Sequence, residues 1–116
     1  MIVILYVADH APAQLLMAAI VADLTPYTLI SATTGAEAEV LTREHHPDAY
    51  ILDLDLPDTD GITLARQLNA IHAAPTILVS AYAESIQPDA SLIYAYLAKP
   101  LDPDDVAQTL RLAVQS

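Results

Sequence analysis

Four short apolar runs, Ile2–Val7, Tyr50–Leu54, Thr76–Val79 and Leu92–Leu97, show little polar alternation and are rich in branched or aromatic residues. That pattern predicts strands covered on both faces. A fifth run, Tyr27–Ser31, alternates slightly more. Between the runs, apolar positions recur at helical spacing over Pro12–Leu24, Gly35–His45, Ile62–His72 and Pro103–Val114, with a weaker stretch at Glu84–Ser91. The predicted order is strand then helix, repeated five times.

Helix starts carry chemical marks. Thr34 followed by Glu37 reads as a capping box, Asp60 precedes the third helix, and Asp102-Pro103 sets an acid at the cap and proline at the first helical position. The stretch around Glu84 lacks such a mark and contains Pro88, so a short or broken helix is expected there. Strand–helix units of this length imply an α/β fold: a doubly wound, five-stranded parallel sheet with five helices on its two faces. In such sheets ligands gather at the carboxyl ends of the strands.

Length and composition narrow the function classes. With 116 residues, 54% hydrophobic content and a mean hydropathy of +0.39, residues 1–116 are expected to form one domain with no output domain. Fifteen acids against four bases give a formal net charge of −11, which argues against direct binding to nucleic acid or to an anionic membrane surface. The absence of cysteine excludes disulfides and thiolate metal sites. The opening MIVILYVADH is too short to span a bilayer and lacks the basic start of a signal peptide, so a cytoplasmic protein is expected.

The predicted strand ends hold the candidate chemistry. The first ends in Val7-Ala8-Asp9-His10, the third in Asp53-Leu54-Asp55-Leu56-Pro57, the fourth in Ser80-Ala81 and the fifth in Ala98-Lys99-Pro100. Taken singly, Asp9 could cap the first helix, Asp55 and Asp58 could sit on a solvated loop, and Ser80 could be a turn residue. Together they place carboxylates, a hydroxyl and the only lysine of the chain along one edge. Clustered carboxylates suit a hard divalent ion such as Mg²⁺. A carboxylate screened by that ion can attack phosphorus, while an ammonium and a hydroxyl bind the phosphoryl oxygens. Pro100 after Lys99 adds a candidate for a cis peptide bond.

At this point the sequence resembles a known family. The run DAYILDLDLPDTDG, Asp48 to Gly61, is similar to the phosphoacceptor signature of response-regulator receiver domains. Val7-Ala8-Asp9 matches the acidic site of that family, Ser80-Ala81 its hydroxyl switch, and Tyr96-Leu97-Ala98-Lys99-Pro100 its switch aromatic and lysine. The resemblance spans nearly the whole chain and implies a flavodoxin-like receiver fold. It also implies that Asp53 takes a phosphoryl group from a histidine kinase or phosphotransfer protein. Asp9 and Asp53 would offer carboxylate oxygens to Mg²⁺ and Asp55 its backbone carbonyl. Ser80 would bind the phosphoryl group, Tyr96 would change rotamer with it, and Lys99 would pair with a phosphoryl oxygen. Such a domain is a signalling phosphoacceptor rather than an enzyme with an external substrate. Its output is a switched surface for an effector protein, or for a second copy in a homodimer.

Three departures qualify that pattern. Ala8 stands where the family usually carries a first acid, the segment from Ser80 to Tyr96 is shorter than usual, and His10 follows Asp9. Ala8 opens an alternative, a pseudo-receiver that binds partners without phosphorylation. A phosphatase similar to the haloacid-dehalogenase superfamily is a further rival, because YILDLD also fits its DxD motif. Against it stand the motif's position on the third predicted strand and the lack of room for a cap domain. His45, His46 and His72 read as helix-end residues facing the dipole. Tyr27, Tyr50 and Tyr94 read as packing residues, Tyr82 as a surface aromatic, and Asp104 and Asp105 as first-turn charges.

Overall fold

The computed structural model describes residues 1–81 and 92–115. Five strands, β1 (Val3–Val7), β2 (Thr28–Ala32), β3 (Ala49–Asp53), β4 (Thr76–Ser80) and β5 (Ala95–Ala98), form one sheet in the order β2-β1-β3-β4-β5. Every neighbouring pair is parallel. Among the described residues there are four helices, α1 (Ala11–Leu24), α2 (Gly35–His45), α3 (Gly61–Ile71) and α4 (Pro103–Gln115). The weak helix expected over Glu84–Ser91, and Tyr82, lie outside the described residues.

Each strand of the sheet centre feeds two cores, which is why its apolar run does not alternate. Ile4, Tyr6, Ile51, Ile77 and Val79 pack with Met17, Ile20 and Val21 of α1 and Val106 and Leu110 of α4. Leu5, Val7, Tyr50, Leu52 and Leu78 pack on the other face with Ala38 of α2 and Leu64, Ala65 and Leu68 of α3. Burying a side chain of this size stabilises by about 1.5–3 kcal/mol. The strand order reverses direction between β1 and β3. In doubly wound sheets that switch point is the crevice where ligands bind.

The helix caps follow the sequence marks. Thr34 accepts from the Glu37 amide at 3.1 Å, and Glu37 reaches back to the Thr33 amide at 2.7 Å, one residue beyond the usual capping box. Asp60 accepts from the Thr63 amide at 2.8 Å, and Asp102 from the Asp104 amide at 2.9 Å. Asp9 does not cap α1. His10 occupies that position without a side-chain bond, and Pro12 stands in the first turn, where the missing amide proton costs nothing.

Candidate functional site

Asp53 is the last residue of β3, paired in register with Val79 of β4. It is only 4% exposed. A buried carboxylate is costly unless an opposite charge or hydrogen bonds compensate it. Lys99 supplies the charge: its Nζ lies 3.1 Å from Oδ2 of Asp53. The Asp55 amide donates to the other oxygen, Oδ1, at 3.2 Å. Lys99 follows β5, its amide bonded to the Ser80 carbonyl at 3.1 Å, and the Lys99-Pro100 peptide is cis.

The remaining sequence-predicted residues distribute around this pair. Ser80, at the end of β4, is 4% exposed. It pairs in register with Ala98, and Tyr96 pairs with Leu78, so Ser80 and Tyr96 stand on the same face of adjacent strands. Tyr96 is half-buried against the cluster shared by α2 and α3. Asp9 lies exposed just beyond β1, beside buried Ala8, and Asp55 is exposed in the loop after β3. Among the described residues no three His, Asp or Glu side chains gather closely enough to hold a metal by themselves. The predicted set needs only two carboxylates and a backbone carbonyl, which matches the habit of Mg²⁺ of keeping several waters.

Three features escaped the sequence reading. Asp58 is not loop decoration: its carboxylate accepts from the amides of Gly35 at 2.8 Å and Ala36 at 3.1 Å. These bonds tie the loop after Asp53 to the start of α2 and hold the Asp58 carboxyl below its ordinary range. Gly35 suits this closeness, since a Cβ there would stand 2.8 Å from Thr59 Cγ2 and the Thr59 side chain would have to move. Second, Gln14 of α1 donates to the carbonyls of Ala8 at 2.7 Å and Ala32 at 3.0 Å, joining the ends of β1 and β2 beneath Asp9. Third, Tyr6 is buried near Asp53. Burial first, and the Asp53 charge second, push its phenol up to about 12, so it remains a neutral donor. Counting back two residues from Ala8 along β1 would have placed Tyr6 on the site's face.

Tyr6 also lines a groove of about 380 Å³ with His10, Leu16, Lys99, Pro100 and Leu101. Leu15 and Leu16 of α1 are 74% and 44% exposed at this side of the molecule. No helix of the described residues is long and apolar enough to cross a membrane.

Comparison with known proteins agrees with this geometry. The family model of the response regulator receiver domain matches residues 4–111. The transcriptional regulatory protein KdpE of Mycobacterium tuberculosis is 37% identical over 112 residues, covering 94% of this chain and 50% of that protein. The chain thus spans about half the length of that relative. A CheY-like receiver domain from Methylobacillus flagellatus superposes with a TM-score of 0.88 at 25% identity, covering 97% of this chain and 98% of that one. The receiver domain of the sensor histidine kinase PA1611 from Pseudomonas aeruginosa PAO1, whose structure has a magnesium ion coordinated in the active site cleft, gives 0.82 at 25% identity, covering 98% of each chain. The match over most of its length, the sheet order and the ion pair of buried Asp53 with Lys99 lead to one conclusion: this chain belongs to the response regulator receiver domains of two-component signalling systems.

Proposed function

We propose that Asp53 accepts a phosphoryl group from a phosphohistidine of a kinase or phosphotransfer protein, and that the acyl phosphate shifts a partner-binding surface. The observation that carries the reading is the ion pair between the buried Asp53 and Lys99 at the switch point of the sheet. A carboxylate oxygen of Asp53 would attack phosphorus as the P–N bond to the donor imidazole breaks, the bonding electrons leaving with the nitrogen. Lys99 would then exchange its carboxylate partner for a phosphoryl oxygen, and Ser80 would take a second oxygen. Tyr96, on the same sheet face as Ser80, would follow that movement. Asp9, Asp53 and the backbone carbonyl of Asp55 would hold Mg²⁺, which when bound supplies neutralisation of the phosphoryl charge.

The reading extends to partners. Exposed Leu15 and Leu16, with the groove beside Lys99, offer an apolar surface to the protein that brings the phosphohistidine. The effect of phosphorylation on an effector cannot exceed its differential stabilisation of the two states of that partner-binding surface.

The test is intact mass after incubation with acetyl phosphate, with and without Mg²⁺, using Asp53→Asn as control. A hydroxylamine-sensitive adduct that needs both Mg²⁺ and Asp53 is expected. If the folded protein forms no adduct and a Mg²⁺ titration is silent, Ala8 has made it a pseudo-receiver. Continuous phosphate release with turnover would instead point to a phosphatase.

A further inference from the structure

At the edge opposite Asp53, the structure brings together two histidines that are distant in sequence. His46 caps the C-terminus of α2 and His72 the C-terminus of α3. Their ring centroids lie 5.2 Å apart, with planes inclined at 59°. The inclination excludes a parallel stack. Two imidazoles bound at about 2.0–2.1 Å to one tetrahedral ion have ring centroids about 5 Å apart. The observed separation falls within the span that two ligands of one ion take up.

Both backbones are fixed. His46 adopts the left-handed conformation at φ 47, its amide bonded to the Thr42 carbonyl at 3.0 Å, and buried Pro47 follows it. The His72 amide bonds the Leu68 carbonyl at 2.9 Å, while its own carbonyl accepts from the Tyr50 hydroxyl at 2.5 Å. Tyr50 belongs to β3, so the His72 backbone is tied to the sheet as well as to its helix end, while the His46 backbone is tied to its helix end. His46 is exposed and His72 half-buried, which leaves the pair open to solvent.

We infer that His46 and His72 form a binding site for a late first-row divalent cation, Zn²⁺ being the reference ion. Two neutral nitrogen donors suit Zn²⁺, Ni²⁺ or Cu²⁺ and not Mg²⁺, which prefers oxygen. No third His, Asp or Glu joins the pair among the described residues, so water completes the coordination shell. The net charge of −11 draws cations to the protein as a whole. The bound ion bridges the C-termini of α2 and α3 and stabilises the fold by mass action. This inference is independent of phosphorylation at Asp53.

Calorimetric titration of the full chain with Zn²⁺, in excess Mg²⁺ to occupy oxygen sites, tests it. One Zn²⁺ per chain is expected, with an accompanying rise in melting temperature. Loss of a metal's outer-shell partner alone costs about 10–100-fold in affinity. His46→Asn, which tolerates the left-handed conformation, and His72→Gln should therefore each weaken binding at least tenfold, with circular dichroism unchanged. Asp53→Asn should not alter it. Zinc affinity that survives both histidine changes, or that falls only with Asp53→Asn, overturns the proposal, as does a stoichiometry of one ion per two chains.

Discussion

The two edges of the sheet use polar side chains in opposite ways. At the amino edge most of their bonds run to backbone. Asp48 accepts from the Val3 amide at 2.7 Å, and Tyr50 donates to His72. Asn69 donates to the Ala65 carbonyl at 2.8 Å and to Thr76 Oγ1 at 2.9 Å, and accepts from the Ala74 amide at 3.1 Å. At the carboxyl edge the central contact joins side chain to side chain, Asp53 to Lys99. The first arrangement closes the fold, because most of its bonds tie a side chain of one segment to the main chain of another. The second holds a charge pair, one member of which the proposed phosphotransfer would exchange for a phosphoryl oxygen.

The contrast predicts a gradient of stability effects, measured by urea unfolding monitored by circular dichroism. Gly61→Ala should be the most damaging change. A Cβ there meets the Asp53 carbonyl at 2.8 Å and the Leu54 Cα at 3.0 Å, backbone atoms that cannot turn aside. A loss of about 3 kcal/mol, the upper range for overpacking, is expected. A smaller loss would mean that the segment under Asp53 yields more easily than its packing implies. Asn69→Ala should cost about 2 kcal/mol, because three hydrogen-bonding groups at the amino edge lose their partner.

Tyr50→Phe should cost about 1 kcal/mol. It also removes one contribution to the pH dependence. Burial raises both phenols, Tyr6 and Tyr50, to about 12. The fold thus favours their protonated forms. That contribution is complete below the ordinary value of 10 and is lost as pH rises through about 12. Unfolding midpoints should decline between those values, and less steeply in Tyr50→Phe. Asp53→Asn should have the smallest effect, leaving the midpoint unchanged or slightly raised, since it removes a charge from a buried position. A loss as large as that of Asn69→Ala would erase the distinction between the edges.

Much of the fold was legible because its signals are local. Apolar runs marked the five strands, four of them unalternated, and Thr34, Asp60 and Asp102 marked three helix starts within a residue or so of where the helices begin. Asp53 and Lys99 were legible as strand-end residues, and the structure joins them. Asp58 was not, because its partners lie 22 and 23 residues earlier and its spacing resembles any acidic loop. Tyr6 was hidden inside an apolar run, where alternation gives a face but no depth. His46 and His72 each looked like a helix-end residue facing the dipole. Only the packing of α2 beside α3 brings their rings together.

Lys99 is the only lysine in the chain, and its side chain stays 40% exposed while it is bonded to Asp53. An amine-directed reagent therefore has a single side-chain target, placed at Asp53, the proposed phosphoacceptor. Acylation would turn the ammonium into a neutral amide and strip Asp53 of its cation. Because a nitrogen held against a carboxylate is less accessible to a reagent than a free one, the labelling rate at this residue reads how tightly the carboxylate, or whatever replaces it, holds the lysine. The protein thus carries its own covalent probe, with no engineered tag.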